Sequence, residues 1–368
     1  MPFDPIDCEF MKQAIQLAAA GEGFVEPNPM VGCILVRDGE IIGKGWHEKF
    51  GGPHAEVNAL ECCPNPKGST AYVTLEPCCH QGKTGPCTDA LIDADVERVV
   101  LAVADPFTEV AGRGIEQLKA AGIQVDVGVE QHAATELIRP YLKKIRRGIP
   151  WVIAKWAMTL DGKISTVTGK SKWISNEKSR AIVHGIRGRV DAIVAGIGTV
   201  LADDPLLNAR PPGARTALRV VVDPQADIPL DSNLVTTAEE FPLAIAVSHS
   251  ADPTKTHSLT DAGCQIIRTD STTHVGQLRQ LLQKLGELNF TNVLIEGGSS
   301  IFGALNDGEL IDEIHAFVAP KVFGGSSSTT AVAGNGISNI GDGRPISILS
   351  TQQIESDIYI IARTNAEI

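Results

Sequence analysis

Apolar positions along this chain follow two periods. Between Asp7 and Gly21, residues Phe10, Ala14, Leu17 and Ala18 recur three and four positions apart, which predicts a helix with a capping Asp in front and a stopping Gly behind. The short apolar runs 31–36 and 41–46 flank Arg37-Asp38-Gly39-Glu40, and Asp-Gly between such runs signals an antiparallel hairpin. Helices and strands then alternate: a helix opening at Pro53, a strand over 71–75, a helix from Cys87, a strand over 98–103, a helix over 114–121, a strand over 123–129 and a helix over 130–147. Gly148-Ile149-Pro150 interrupts the pattern and marks a boundary.

Strands resume at 151–156, 191–195, 218–222, 243–247, 265–267, 292–295 and 315–318, and the chain closes with a pair, 346–349 and 358–362, that has no helix between its members. Strands separated by helices predict α/β sheets with covered faces, and the last pair predicts an antiparallel edge. The expected organisation is two domains, 1–148 with its core in 7–123, and 149–368, neither repeating the other. The Gly- and Ser-rich stretch 324–344 reads as a mobile loop.

The length of 368 residues suits two domains of about 150 residues each. A hydrophobic fraction of 43% and a charged fraction of 21% exclude disorder, collagen and coiled coil. The net charge of −12 is spread, with 14 Lys and Arg against 21 Asp and Glu in residues 1–150, so neither half offers the basic face that nucleic acid requires. The one basic run, Lys143-Lys144-Ile145-Arg146-Arg147, reads as a solvated helix face. No leader pattern and no apolar run of about 18 residues occurs, so no membrane partner and a reducing cytoplasm are expected. Five of the eight Cys fall between Cys62 and Cys87, and in that compartment clustering points to metal or catalysis over disulfides.

Pro53-His54-Ala55-Glu56 is followed by Glu76-Pro77-Cys78 and, nine positions on, by Cys87. One His and two Cys can supply three ligands to Zn²⁺ and leave a fourth position for water, the pattern of a catalytic site; structural zinc normally takes four protein ligands. Residues two apart on a helix wall do not face each other, so His54 and Glu56 converge only just ahead of a helix start, where Pro53 fits. Cys87 also opens a helix, whose positive end favours thiolate. Cys79 is a rival ligand, although successive side chains alternate at a strand end. Cys8, Cys33, Cys62, Cys63 and Cys264 read as small core residues, and His47 and His80 as candidates to touch a substrate phosphate or the loop.

These residues resemble the zinc-dependent nucleobase deaminases, whose signature is His-x-Glu followed by Pro-Cys-x-x-Cys. The nine-residue interval between Cys78 and Cys87 departs from the cytidine and tRNA adenosine deaminases. With Pro27-Asn28-Pro29-x-Val31-Gly32, Val73-Thr-Leu-Glu-Pro-Cys78, His80-x-Gly82-x-Thr84-x-x-Cys87, Ala104-Asp105-Pro106 and Val110-Ala-Gly-Arg-Gly114, the chain is similar over most of residues 8–122 to the bacterial bifunctional riboflavin-biosynthesis deaminase-reductases. The resemblance implies a cytidine-deaminase-like three-layer α/β/α domain in which His54, Cys78 and Cys87 hold zinc, Glu56 shuttles the proton and Asn28 contacts the pyrimidine.

In the second half no strand leads into Gly-x-Gly-x-x-Gly. Ile295-Glu296-Gly297-Gly298-Ser299-Ser300 precedes an apolar helix, and such a turn either binds phosphate through backbone N–H groups or is merely a tight connection. Lys155-x-x-x-x-Leu160-Asp161-Gly162, Ser171-x-Trp173-Ile174, Gly198-Thr-Val-Leu-Ala-Asp-Asp-Pro205, Leu218-Arg-Val-Val-Val-Asp223, Glu296-Gly-Gly and Ala319-Pro-Lys321 resemble the reductase half of the same family, with 225–290 the poorest match. That implies a dihydrofolate-reductase-like α/β domain using NADPH. Its cofactor contacts would be Ala157, Trp173, Thr199, Asp203, Pro224 and the turn Gly298, Ser299, Ser300, Ile301, Phe302, Gly303 and Ala304. Its substrate contacts would be Ser171, Arg187, Leu207, Arg210 and Glu296. Arg187 and Arg210 suit a ribose phosphate, which guanidinium forks bind bidentately. A strand Lys needs a partner, so Lys155 and Asp203 either frame the carbon that receives hydride or form a structural salt bridge.

The family implies zinc-dependent deamination of a small pyrimidine ribotide followed by NADPH-dependent reduction of its ribosyl group. It leaves a homo-oligomer open. The rival classes are a deaminase of another base with a binding module behind it, and a non-catalytic zinc scaffold.

Overall fold

The computed structural model describes residues 3–80 and 85–365, so Gly82 and Thr84 of the loop motif lie outside the described residues. The described chain divides into two compact units, one up to Arg147 and one from Gly148 on.

The first unit runs α1 (Pro5–Ala18), β1 (Gly32–Arg37), β2 (Glu40–Trp46), α2 (Ala55–Glu61), β3 (Thr70–Leu75), α3 (Cys87–Asp93), β4 (Arg98–Val103), α4 (Arg113–Ala120), β5 (Gln124–Val127), α5 (Gln131–Leu137) and α6 (Arg139–Arg147). Its sheet has the order β2-β1-β3-β4-β5, antiparallel at β1 and parallel from β3 to β5. Alternation along the strands sends side chains to both faces. Ile34, Tyr72 and Val100 pack with Met11 and Ala14 of α1 and Leu142 of α6, while Cys33, Val73 and Leu101 pack with Ala55 and Ala59 of α2, Leu91 of α3 and Leu118 of α4. The result is a three-layer α/β/α domain. At Gly45 helix α2 lies directly on β2, where a Cβ would stand 2.3 Å from the Ala59 nitrogen; this contact seats the start of α2, which carries His54 and Glu56.

Four details differ from the sequence reading. Helix α1 is capped by Asp4, which accepts from Ile6 N at 2.9 Å with Pro5 as the first helical residue. Asp7 is instead buried and paired, because a carboxylate inside the fold needs donors. The segment 130–147 forms two helices, since Pro140 sits in the first turn of α6 and has no N–H with which to continue α5. The basic run is not wholly solvated, for Lys143 is 5% exposed. Among the cysteines read as core, Cys33, Cys63 and Cys264 are buried, Cys8 is half-buried and Cys62 is exposed.

The second unit runs β6 (Trp151–Thr159), α7 (Glu177–Arg187), β7 (Ala192–Gly196), α8 (Ile197–Asp203), β8 (Leu218–Val222), α9 (Asn233–Thr236), β9 (Leu243–Ser248), α10 (Pro253–Asp261), β10 (Gln265–Thr269), α11 (His274–Glu287), β11 (Asn292–Ile295), α12 (Ser299–Asp307), β12 (Glu313–Ala319), β13 (Ile346–Ile354) and β14 (Asp357–Thr364). The nine strands are ordered β10-β9-β8-β7-β11-β6-β12-β14-β13. All pairings from β10 to β12 are parallel, and β14 and β13 close the edge antiparallel. Buried parallel strands read as continuous apolar runs, and Val194, Val220, Val222, Val293 and Ile295 pack with Leu278, Leu281 and Leu285 of α11 and Phe302 and Leu305 of α12. The first part of loop 324–344 is fastened and not free: Asp161 accepts from Phe323 N and Gly324 N, Ala333 N donates to Ser299 O, and Asn335 N donates to Asp307. Among the described residues no helix is long and apolar enough to cross a membrane.

Candidate active sites

In the first unit His54 stands in extended conformation as the cap of α2, Cys78 follows β3, and Cys87 opens α3. Chain segments 24 and 33 positions away from His54 thereby meet: His54 Nδ1 is 3.2 Å from Cys87 Sγ and 3.5 Å from Cys78 Sγ. The three donor atoms lie within 4.8 Å of one another, and among the described residues they are the one His, Cys, Asp or Glu group so gathered. One nitrogen and two sulfurs at this spacing fit Zn²⁺ with a fourth position left for water. Cys79 turns away and donates to Glu109 O. Cys78 is the more acidic thiol, lowered by hydrogen bonds from Cys87 and His54 against burial, while Cys87 is pushed up by the same contact and by burial. Glu56, 3% exposed, has its carboxyl pushed up to about 7 by burial and then by the Cys78 charge. A carboxyl poised near neutrality suits proton transfer.

This group opens on a cavity of about 360 Å³ lined by Asn28, His47, Glu56, Asp105, Tyr141 and Lys144 among others. His47 bridges Pro53 O (2.9 Å, through Nδ1) and Asn28 Nδ2 (3.1 Å, through Nε2). Burial keeps its pKa low, so a neutral ring can donate to the carbonyl and accept from the amide, which holds Asn28 in place. Tyr141 donates to Asp105 at 2.9 Å. Sequence reasoning missed Tyr141 and Lys144 on this wall: Lys144 falls in the basic run read as a solvated helix face, and no spacing rule connects either residue to His54.

The second unit holds a larger cavity of about 1310 Å³. Such clefts form outside the carboxyl ends of parallel strands. Of the residues expected to contact cofactor, Ala157, Trp173, Thr199, Asp203, Pro224 and Gly298 to Phe302 line it, as do the expected substrate residues Ser171, Arg187, Leu207, Arg210 and Glu296. Gly303 and Ala304 pack inward instead, a Cβ on Gly303 meeting Ala333 at 2.5 Å and Ala304 being 6% exposed. Helix α12 starts at Ser299 without a side-chain cap, and Gly298 N donates to Thr199 Oγ1 at 3.0 Å. An uncapped glycine turn on the cavity wall fits a dinucleotide's phosphates.

The charged partners differ from the expected ones. Lys155 Nζ lies 3.7 Å from Glu296, whereas Asp203 accepts from Ser171 Oγ at 2.6 Å, with Lys172 on its backbone carbonyl. Arg187 is committed to Glu296, and Arg210 is exposed and donates to Asn208. Burial pushes Glu296 up, but Arg187 and Lys155 prevail and hold its carboxyl down at about 2. Lys155 is pushed below the usual lysine range by its own burial.

Comparison with known proteins agrees. Residues 5–103 match the cytidine and deoxycytidylate deaminase zinc-binding region, and residues 150–360 match the RibD C-terminal domain. A zinc-dependent deaminase joined to a dihydrofolate-reductase-like reductase is the class of protein these folds and sites define. The riboflavin biosynthesis protein RibD of Actinobacillus pleuropneumoniae is 43% identical over 356 residues, 96% of this chain and 94% of the relative, and that of Escherichia coli is 37% identical over 329 residues, 86% and 88%. The structure of Acinetobacter baumannii RibD, form 1, superposes with a TM-score of 0.86 at 35% identity, covering 98% of this chain and 99% of that one. The chain belongs to the RibD family of bifunctional riboflavin-biosynthesis enzymes.

Proposed function

We propose that the first unit hydrolyses the 2-amino group of 2,5-diamino-6-(5-phosphoribosylamino)pyrimidin-4(3H)-one. The second unit then uses NADPH to reduce the ribosyl side chain of 5-amino-6-(5-phosphoribosylamino)uracil to ribityl. The observation that carries this reading is the convergence of His54, Cys78 and Cys87 beside buried Glu56 on a cavity wall. A Thermotoga maritima protein with a TM-score of 0.84 and 32% identity is named a diaminohydroxyphosphoribosylaminopyrimidine deaminase/5-amino-6-(5-phosphoribosylamino)uracil reductase.

Zinc on His54, Cys78 and Cys87 supplies the Lewis acidity that brings the pKa of water toward neutrality. Glu56 takes a proton from the attacking water, passes it to the ring nitrogen and returns one to the departing amine, so that oxygen replaces nitrogen on C2 and ammonia leaves. Asn28, oriented by His47, hydrogen-bonds the pyrimidine.

In the second unit NADPH supplies the hydride for C1′ of the open-chain imine. The turn Gly298 to Phe302 holds its phosphates, and Ala157, Trp173, Thr199, Asp203 and Pro224 line its path. Ser171, Leu207, Arg210, Glu296 and Arg187 hold the substrate. Lys155 and Asp203 flank the reacting carbon from opposite sets of contacts, Lys155 through Glu296 and Asp203 through Ser171. The partner is a small pyrimidine ribotide, not nucleic acid or membrane, and the enzyme works in the cytoplasm. The test is one assay on purified protein with the diaminopyrimidine ribotide: ammonia release without NADPH, then NADPH loss once deaminated product is present. Ammonia with no NADPH loss would remove the reductase half.

A further inference from the structure

Glu76 precedes Pro77-Cys78 and takes no part in the chemistry above, yet it is 4% exposed and accepts four backbone hydrogen bonds. Oε1 accepts from Gly114 N at 3.0 Å and Ile115 N at 3.2 Å, and Oε2 from Gly112 N at 3.1 Å and Asp105 N at 3.2 Å. Gly114 and Ile115 lie in the first turn of α4, where N–H groups have no partner within the helix. Asp105 and Gly112 are the two ends of the segment that brings Asp105, Phe107 and Val110 to the cavity wall. The junction is close-packed: a Cβ on Gly114 would stand 2.3 Å from Pro77 O. Helix α4 also reaches the third ligand's helix, because Thr88 Oγ1 donates to Gln117 at 3.0 Å and lies 3.4 Å from Cys78 O.

A carboxylate offers acceptors alone, whereas an amide of the same size presents two donors on one of its ends. The position thus requires an acceptor at both Oε1 and Oε2 in order to satisfy all four N–H groups, two residues ahead of Cys78. We propose that Glu76 is a positioning residue of the deaminase, its carboxylate holding the 105–112 wall and the start of α4 in register with Cys78. The inference rests on the reading of this cavity as the deaminase site.

The test uses the full-length protein and Glu76→Gln, with Glu76→Asp as the second variant, which keeps the charge but withdraws it by one methylene. Deamination kinetics are measured per bound zinc, the Co²⁺-substituted protein is examined for its thiolate-to-cobalt absorption bands, and reductase turnover serves as the control for folding. Glu76→Gln is expected to raise KM at least tenfold and to shift the cobalt bands, with Glu76→Asp intermediate and reductase turnover unchanged. If KM, kcat and the cobalt spectrum stay as in the parent while only thermal stability falls, Glu76 is merely structural and the proposal is overturned. Should Glu76→Gln not fold, the same readouts on Glu76→Asp decide. A parent protein that releases no ammonia would remove the deaminase reading, and the cobalt bands would still judge Glu76.

Discussion

Arg187 donates from Nε and Nη2 to the two carboxylate oxygens of Glu296, at 2.6 and 3.0 Å, closing a fork across 109 positions of the chain. The pair is nearly buried, with side-chain exposures of 14% and 7%. One of the two guanidinium groups expected to grip phosphate is therefore engaged with a carboxylate, and Arg210, which is exposed and donates to Asn208, is the more accessible of the two.

Removing one member of a buried ion pair costs up to about 3–5 kcal/mol, and Lys155 at 3.7 Å leaves Glu296 one remaining cation. Arg187→Met should destabilise the second unit by that order and lower reductase kcat/KM at least a hundredfold, with deamination retained. Urea unfolding followed by Trp fluorescence reads the first effect, since Trp151, Trp156 and Trp173 lie in that unit. A variant as stable as the parent would contradict the pairing.

Glu56→Gln keeps the volume and removes the proton carrier. Ammonia release should fall by about 10²- to 10⁴-fold, while metal analysis still finds one zinc per chain. Loss of zinc in this variant would show that Glu56 helps hold the metal.

Cys87→Ala removes one of three donor atoms. The protein should purify without zinc and without deaminase activity, and NADPH oxidation with the deaminated ribotide should continue. Full zinc occupancy would mean that another residue, with Cys79 the first suspect, has replaced it.

Asp7 accepts from both terminal nitrogens of Arg98, at 2.9 and 2.7 Å, and from Tyr72. The Arg98 hydrogen bond, aided by Tyr72 and opposed by burial, holds its carboxyl below the ordinary 3.8. A carboxyl with a folded pKa below its unfolded one adds stability that is whole above the unfolded value and is lost as pH falls through the folded one. Asp7→Asn should cost about 1.5–3 kcal/mol at pH 7 and flatten the fall of the urea midpoint as pH drops below the ordinary carboxyl value of 3.8. Parallel midpoint curves for parent and variant would refute the pair's contribution.

Local chemistry is legible in the residues themselves. Asp-Gly between apolar runs encoded the β1–β2 hairpin, and Pro53 ahead of His54-x-Glu56 placed both side chains at the start of α2. Continuous apolar runs marked the buried parallel strands, because burial on both faces removes polar alternation. The candidate zinc ligands His54, Cys78 and Cys87 could be recognised because a metal restricts residue types as well as their spacing.

Neighbouring residues settle among themselves the helix starts, the turns, the two α/β alternations and the residue types that chemistry demands. Tertiary structure alone decided which distant groups meet. Lys155 could have faced Asp203, and it faces Glu296 because β6 and β11 are adjacent strands. Asp7 looked like a cap and became the partner of Arg98, 91 positions away. Glu76 became the anchor of α4 through backbone N–H groups, which every residue type but proline carries and which therefore leave no trace in a sequence.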